Sequence, residues 1–186
     1  MPHLPILVTQ RLTLRPPLEV DLEAIARALD DYEVSRWLGT VPHPYALDDA
    51  RHWFERMEQG AGDVRWVAHD ARGLVGFVSL RRRDFGGARD AVVLGYWFAR
   101  PVWGRGYATE AVRAAVTEHF GRSDEDIVAG AHEGNAASLA IQHRLGFETV
   151  GHDTEHSLAR GKDVPVTVNR LARIEFERRF PQRIAA

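Results

Sequence analysis

The stretch Gly95–Val112, GYWFARPVWGRGYATEAV, joins a strand-like run to a helical pattern through a proline and two glycines. Glycine is the residue that a chain uses where its backbone must come close to another group. A helix that begins after such a turn has backbone N–H groups without a partner, and these attract negative charge together with the helix dipole. The stretch therefore predicts an anion site, where Gly104 and Gly106 let a phosphate reach the backbone and Arg105 adds a fixed charge.

Two common phosphate-binding motifs do not fit this turn. The P-loop requires G-x-x-x-x-G-K-[ST], and no Lys-Ser or Lys-Thr follows the glycines. The dinucleotide fingerprint G-x-G-x-x-G belongs to a parallel βαβ unit, whereas GRGYAT lacks the third glycine and follows a series of predicted hairpins. A plain strand-to-helix turn, with glycines kept for packing, remains the alternative.

The composition is that of an ordinary globular domain. The chain has 186 residues, of which 45% are hydrophobic and 27% charged, so residues 1–186 are expected to form a single domain. The formal net charge of -2 predicts neither a nucleic-acid partner nor a membrane partner, and the basic cluster Arg81–Arg83 is too small to change this. The N-terminal apolar run is too short for a signal peptide, which favours a cytoplasmic protein.

Residue types exclude several kinds of site. The sequence has no cysteine, which excludes disulfides, a four-cysteine zinc site and a cysteine nucleophile. His152 and His156 have i, i+4 spacing, but they lie in a strand-like segment, where that spacing does not bring two imidazoles together. We therefore predict no metal site.

Hydrophobic periodicity predicts the element order β-α-α-β-β-β-α-β-α-β-β. The first helix carries its apolar face from Leu18 to Leu29, and the second begins at Asp48–Asp49 and stops near Gly60. The three central strands follow each other through short turns, which favours antiparallel hairpins. The strand runs are, in order, RLTLR, VRWVAHD, LVGFVSLRRR, AVVLGYWF, DIVAGAH, TVGHDTEHSLA and VPVTVNRLARIEF. This order indicates an α+β domain around one mixed, mostly antiparallel central sheet with helices on both faces.

The segment GYWFARPVWGRGYATEA resembles the acyl-CoA-binding segment of the GNAT N-acetyltransferase superfamily, in the ribosomal-protein alanine N-acetyltransferase-like branch. The family turn [QR]-x-x-G-x-[GA] matches Trp103–Ala108, with Trp103 where Gln or Arg is usual. NAASLAIQHRLGF is similar to the family helix N-x-x-S … K-x-G-F; it matches at Asn135, Ser138, Gly146 and Phe147 and has Arg144 where lysine is common. TQRLTLRP resembles the N-terminal strand of the branch, and RGKDVPVTVNRL resembles its last hairpin more loosely. The matches stand in family order and cover nearly the whole chain.

The resemblance implies a sheet that is splayed between its fourth and fifth strands, with the pantetheine arm of acetyl-CoA, or another acyl-CoA, in the split. Phe98 and Ala99 would offer backbone groups to the pantetheine, and Asn135 would bond to its amides. The N–H groups of the turn would hold the pyrophosphate; the implied turn residues are Trp103, Gly104, Arg105, Gly106, Tyr107, Ala108 and Thr109. Two alternatives stay open, since Asn135 is also a plausible helix N-cap and Phe98 a plausible core aromatic.

The implied reaction is attack of a neutral primary amine on the thioester, with Ser138 as the family's proton donor to the thiolate; a purely structural role at the helix end is its alternative. Relatives often carry a glutamate base at positions that correspond here to Val93 and Gly130, neither of which takes a proton. His132 lies two residues beyond Gly130, on the same sheet face, and is our first candidate for the base. The alternatives are Glu133, a plain loop role for His132, or a contribution from His69, Asp153 or His156.

The acceptor is predicted from the cost of deprotonation. A protein α-amine has a pKa of about 8 and a lysine amine one of about 10.4, so a site without a strong carboxylate base favours an α-amine. The first hypothesis is therefore an N-acyltransferase that acts on a peptide or protein N-terminus. Acylation of a small amine (polyamine, amino acid or aminoglycoside) and a catalytically silent acyl-CoA-binding module are the alternatives. The loop Gly39–Asp49 is expected to border the acceptor pocket, and many relatives form dimers, which suggests a homodimer.

Overall fold

The computed structural model describes residues 4–59 and 63–181, which form one eight-stranded sheet with helices on both faces. The strand order is β1-β2-β3-β4-β5-β6-β8-β7, in which β5 and β6 are parallel and all other neighbours antiparallel. The strands are β1 Leu7–Val8, β2 Thr13–Arg15, β3 Val64–Asp70, β4 Gly73–Phe85, β5 Ala88–Phe98, β6 Ile127–His132, β7 Glu148–Ser157 and β8 Lys162–Leu171. The helices are α1 Leu22–Leu29, α2 Tyr32–Ser35, α3 Leu47–Gln59, α4 Tyr107–Phe120, α5 Ala136–Leu145 and α6 Arg173–Arg179. The predicted α+β class is confirmed.

The sheet is split between β5 and β6. These strands pair only where Val92–Leu94 faces Ile127–Ala129, although β5 continues to Phe98 and β6 to His132. They are the fourth and fifth strands of the prediction, because the two-residue β1 is too short to show a periodicity in the sequence. The predicted splay is thereby confirmed.

Each face of the sheet carries its own apolar cluster. On one face the small residues of α4 let this helix pack closely on β4 and β5, and Ala111, Val112, Ala115 and Val116 are fully buried. On the other face α1 and α3 cover Val67 and Phe77. Alternate residues of β4 and β5 therefore point to two different environments.

The C-terminal segment differs from the prediction. The last strand ends at Leu171, and the predicted strand residues Arg173 to Phe176 belong to α6. Phe176 packs on Phe120 of α4, with 5.6 Å between ring centroids, so tertiary packing of one aromatic side chain outweighs the apparent alternation.

Two smaller predictions concern helix ends. Leu18 was placed on the apolar face of the first helix, but it precedes a short 3₁₀ turn and is half exposed. The predicted stop near Gly60 lies outside the described residues; α3 is described up to Gln59. None of the helices in the described part of the chain is both long enough and apolar enough to cross a membrane.

Candidate functional site

A cavity of about 1360 Å³ is lined by residues from both sides of the split. Its volume exceeds the range of roughly 300–1,000 Å³ that one small ligand usually occupies, so it offers room for two substrates. One end is formed by the glycine turn and by the start of α5. The other end lies under α1, α3 and the loop that connects α2 to α3, as predicted for the segment from Gly39.

The glycine turn has the backbone conformation that the sequence predicts. Gly104 and Gly106 have φ angles of 74° and 78°, in the left-handed region that favours glycine. The first helical bond of α4 runs from Glu110 N–H to Gly106 O, at 3.1 Å, so the N–H groups of the residues 107–109 precede it and have no helical partner. A Cβ atom on Gly104 would meet no protein atom within 4 Å. The turn thus presents donors to open space.

The end of β5 is tied to this turn. The Trp103 indole Nε1 donates to Phe98 O at 2.7 Å. Ala99 donates its N–H to Val75 O at 2.9 Å and accepts from Val102 N–H at 3.1 Å. The N–H of Ala99 is therefore used within the protein, and a backbone contact from Ala99 to a ligand stays a prediction for its carbonyl oxygen alone. Backbone groups alternate along a strand, so the N–H of Phe98 points away from β4 and toward the split.

Glu110 of α4 connects the glycine turn to TQRL, the segment between β1 and β2 that begins the family-like stretch TQRLTLRP. Its carboxylate accepts hydrogen bonds from Thr9 Oγ1 at 2.6 Å, from Arg11 N–H at 2.8 Å and from Arg11 Nε at 2.7 Å. Arg11 Nη1 also donates to the carbonyl of Arg105, at 2.7 Å, and the guanidinium lies 4.5 Å from the centre of the Tyr107 ring. Burial raises the pKa of Glu110, but these hydrogen bonds outweigh it and lower the pKa overall. The group stays an ionised brace for the turn.

Replacing Arg11 by alanine is expected to weaken acetyl-CoA binding by roughly threefold to tenfold, because the turn loses charge-assisted hydrogen bonds that hold its shape. Calorimetric titration of the variant with acetyl-CoA measures this. Arg72→Ala, at the exposed turn between β3 and β4, is the matched control. Equal dissociation constants for the two variants would show that the brace does not shape the ligand site.

Asn135 is the N-cap of α5. Its Oδ1 accepts the N–H of Ser138 at 3.1 Å, so the capping alternative holds. Asn135 also lines the cavity, and the cap uses only its oxygen. In the described part of the chain its amide nitrogen has no hydrogen bond, so a second role toward a ligand stays a prediction.

Ser138 lies in a buried hydrogen-bond network that sequence reasoning missed. Its Oγ is 2.9 Å from Tyr96 OH and accepts from Gln142 Nε2 at 3.1 Å. Asn169 Nδ2 donates to Gln142 Oε1 at 2.6 Å, and Thr149 Oγ1 donates to Asn169 Oδ1 at 2.7 Å. Gln142 and Asn169 are fully buried. The one signal in the sequence was that Gln142 follows Ser138 by one helical turn.

Tyr96 can act as a proton donor in this network. Burial raises the pKa of the Tyr96 hydroxyl, although its hydrogen bond with Ser138 acts in the opposite direction. The group therefore keeps its proton at neutral pH. Tyr96 and Ser138 both line the cavity at the split.

His132 forms a pair with Glu155, which sequence reasoning also missed. His132 is the last residue of β6 and is only 4% exposed. The alternative that it is a plain loop histidine is therefore wrong. Its Nε2 lies 3.2 Å from Glu155 Oε2, and Arg83 Nη1 lies 3.7 Å from Glu155 Oε1. The hydrogen bond from His132 lowers the pKa of Glu155 against the effect of burial, and the charges of Arg83 and Arg81 lower it further. Glu155 is a carboxylate in the wall of the cavity.

The two positions for which the resemblance implies a glutamate in relatives are closed in this protein. A Cβ atom on Gly130 would lie 2.5 Å from the Phe85 ring, and Val93 is 2% exposed. Phe85 therefore fills the space that a glutamate on β6 would need, and the carboxylate beside His132 comes from β7 instead.

The other proposed acids and bases lie elsewhere. Glu133 is exposed, His69 is held by Asp21 at 3.2 Å, and His156 is held by Asp163 at 2.8 Å; neither these three nor Asp153 lines the cavity. Across residues 4–59 and 63–181, no group of three or more His, Asp or Glu side chains could hold a metal ion.

Residues 11–148 match a model of the acetyltransferase (GNAT) domain. YkkB of Bacillus subtilis, an uncharacterized protein, is 30% identical over 148 residues, which cover 76% of this chain and 84% of YkkB. An L-methionine sulfoximine/L-methionine sulfone acetyltransferase of Pseudomonas aeruginosa is 29% identical over 131 residues, 69% of this chain and 75% of that protein.

Solved structures share the fold at low identity. A spermidine N-acetyltransferase from Vibrio cholerae, in complex with CoA and spermine, superposes with a TM-score of 0.75 at 19% identity, covering 90% of this chain and 99% of that one. RimL, a ribosomal α-N-protein acetyltransferase in complex with coenzyme A, gives 0.75 at 19% identity, with coverage of 90% and 97%.

Proposed function

This chain belongs to the GNAT acetyltransferase family and is an acyl-CoA-dependent N-acetyltransferase; we propose that its acceptor is a primary α-amine, of an amino acid or of a peptide N-terminus. One observation carries the proposal. A single cavity joins the free N–H groups of the glycine turn, the Ser138–Tyr96 donors and the His132–Glu155 pair across the split between β5 and β6.

The residues of the turn fit the donor substrate. The N–H groups of Gly104 and Gly106 and those at the start of α4 bind the pyrophosphate, and Arg105 lies beside them on the surface. The amide of Asn135 and the N–H of Phe98 bind the pantetheine arm. Trp103, which is 44% exposed, offers an aromatic face next to the turn.

The chain supplies each proton and charge that the reaction needs. Acetyl-CoA provides the acyl group as a thioester, and the amine nitrogen forms the new N–C bond while the C–S bond breaks. The N–H of Phe98 stabilises the negative charge that develops on the carbonyl oxygen. Ser138, with Tyr96 behind it, gives a proton to the departing thiolate.

The His132–Glu155 pair removes the proton of the ammonium group. Glu155 accepts the Nε2–H of His132, which leaves the imidazole lone pair on Nδ1. His132 Nδ1 is buried and has no hydrogen-bond partner in the described residues, so the carboxylate of Glu155, whose side chain is 25% exposed, meets the incoming amine. Glu155 is therefore the group that accepts the proton, and His132 holds the Glu155 carboxylate in position.

The α-amine has support from the relatives as well as from the site. The acceptors named for the Pseudomonas relative are amino-acid derivatives. RimL, named for a protein α-amine, and the Vibrio enzyme, named for spermidine, both share the fold alone at 19% identity, so neither of them decides the acceptor. The pair of His132 and Glu155 gives the chain a base, which argues against a silent acyl-CoA-binding module.

Replacing Ser138 by alanine is expected to lower kcat for acetyl transfer about tenfold or more, since the thiolate then leaves without its proton donor. Thiol release from acetyl-CoA and from succinyl-CoA, with a panel of amino acids and short peptides, measures the rate and the choice of acyl group. Tyr96→Phe is expected to lower kcat as well, and Ser123→Ala, in the turn before β6, is the control.

Two results would contradict this function. Equal rates for the wild-type enzyme and Ser138→Ala would remove Ser138 from the chemistry. Tight binding of acetyl-CoA without turnover on any amine of the panel would instead identify a silent binding module.

A further inference from the structure

Arg81 stands in the wall of the cavity without a salt bridge of its own. It lies on β4 and lines the cavity, and its Nε atom is buried without a hydrogen-bond partner. Among the residues whose side chains the structure describes, it forms no ion pair. A guanidinium stays charged at any pH at which a protein folds, and a charge that is partly buried and unpaired is costly unless a ligand completes it.

The neighbouring charges do not neutralise Arg81. Arg65 is held by Asp63, with Nη2 and Oδ2 2.5 Å apart. Arg83 faces Glu155 at 3.7 Å and stacks 4.5 Å above the Phe85 ring. Three guanidinium groups therefore face two carboxylates, which leaves one positive charge, and Arg81 is the group that carries it.

Two other acids line this end of the cavity, away from β4. Glu33 pairs with Arg36 at 3.2 Å, and Asp49 accepts the N–H of Ala46 at 2.8 Å and lies on α3, which also brings the positive charge of Arg56 to the cavity. The acceptor end of the cavity is thus electropositive near β4.

The position of Arg81 assigns it to the acceptor and not to coenzyme A. In the register of β4 and β5, Arg81 lies opposite Val93, and the strands β5 and β6 part just beyond, after Leu94. Two-residue alternation places Arg81 on the face of Phe77, under α1 and α3, where Glu155 also contacts Arg83. The glycine turn begins α4, which packs on the opposite face.

We propose that Arg81, assisted by Arg83, binds a carboxylate that the amine acceptor itself carries. This rests on the proposed function and narrows its substrate class. A guanidinium and a carboxylate form two parallel hydrogen bonds, which would hold the acceptor with its amine toward Glu155 and the split. A polyamine would bring further positive charge to the unpaired cation and is disfavoured.

The carboxylate has two possible sources, the α-carboxylate of a free amino acid and the acidic side chain of a peptide N-terminus. The test uses wild-type enzyme at saturating acetyl-CoA with matched acceptors: L-amino acids against their amides, and peptides that begin with Asp or Glu against those that begin with Asn or Gln. Values of kcat/KM are expressed per unprotonated amine, because an amide substituent changes the basicity of the amine. Spermidine is the cationic comparison.

In at least one of the two series, kcat/KM for the acid is expected to be ten times that for its amide or more. The series that shows this difference identifies the source of the carboxylate. Arg81→Gln is expected to remove most of this preference by lowering kcat/KM at least tenfold for the acid and less than threefold for the amide. Arg89→Gln, the same change at the exposed start of β5, leaves both values unchanged.

Acids and amides that react equally well, or a preference for spermidine, would overturn the carboxylate site while acetyl transfer to amines stands. Absence of turnover on every amine would overturn the proposed function and this inference together. The comparison of acceptors uses the unmodified enzyme, so it tests recognition of the acceptor carboxylate even if Arg81→Gln does not fold.

Discussion

The Glu155→Gln enzyme is expected to lose about 100-fold in kcat/KM at pH 6.5 and only a few-fold at pH 9.5, which is the behaviour of an enzyme that has lost its general base. An α-amine has a pKa of about 8, so at pH 6.5 most of the acceptor is an ammonium ion that must give up a proton before it can attack. At pH 9.5 most of it is already neutral, and the base has little left to contribute.

The pKa of Glu155 determines how the pH dependence of kcat/KM is interpreted. The hydrogen bond from His132 and the nearby arginines lower the pKa of Glu155, so the carboxylate stays ionised throughout the measured range. A bend between pH 6.5 and 9.5 therefore does not report the titration of Glu155, and the α-amine of the acceptor, with a pKa of about 8, accounts for it. The measurement is a pH–rate profile of wild type and variant with the same acceptor.

Glu133→Gln is the matched control for Glu155→Gln. Glu133 follows His132 directly, is exposed and lies outside the cavity, so its replacement is expected to leave the profile unchanged. A large loss in Glu133→Gln with none in Glu155→Gln would reverse the assignment of the base. A loss in Glu155→Gln that is the same at every pH would mean that Glu155 positions the acceptor and does not take its proton.

The parts of the site that follow from local sequence were predictable. Three such features depend only on residues close together in the chain: the helix start after two glycines, the alternation of β5 and β6 on both sides of the split, and the N-cap at Asn135. The residues that produce each feature are therefore visible together in the sequence.

The parts that were missed depend on strand register over long distances. Glu155 reaches His132 from β7, although β8 lies between β7 and β6 in the sheet. Nothing near Glu155 in the sequence indicates this neighbour. The same holds for Tyr96, whose partner Ser138 is 42 residues away.

The arginine cluster was missed for a different reason. Arg81–Arg83 looks like a solvated charge run, but strand alternation sends Arg82 outward, to Asp90 and Glu125, and its two neighbours inward to the cavity. The alternation of β4 was visible in the sequence; which of its faces lines a cavity was not.

Gly104→Val is expected to weaken acetyl-CoA binding about 100-fold. The valine side chain would project into the open side of the turn, where a Cβ atom meets no protein atom, and would keep a diphosphate from the backbone donors. Two charge-assisted hydrogen bonds, each worth about 1.5–3 kcal/mol, are enough for an effect of this size. Isothermal calorimetry with acetyl-CoA measures it.

Backbone strain alone would also change the protein, so the control must carry the same strain. Gly87 has a φ angle of 81°, against 74° for Gly104, and a Cβ atom there also meets nothing within 4 Å. Gly87 lies in the exposed turn between β4 and β5. A valine at either position costs about 1–3 kcal/mol of strain, so both variants are expected to melt at similarly lowered temperatures.

Only Gly104→Val is then expected to lose affinity, and only for ligands with a diphosphate. S-acetylpantetheine lacks this group and should bind wild type, Gly104→Val and Gly87→Val equally weakly, because the contacts proposed for the pantetheine arm, from β5 and α5, involve neither glycine. If Gly104→Val bound acetyl-CoA as tightly as Gly87→Val does, the diphosphate would have to lie away from the start of α4. The free N–H groups of that helix would then be ordinary helix-end donors, and the glycines of the turn would serve the packing of Trp103 against β5.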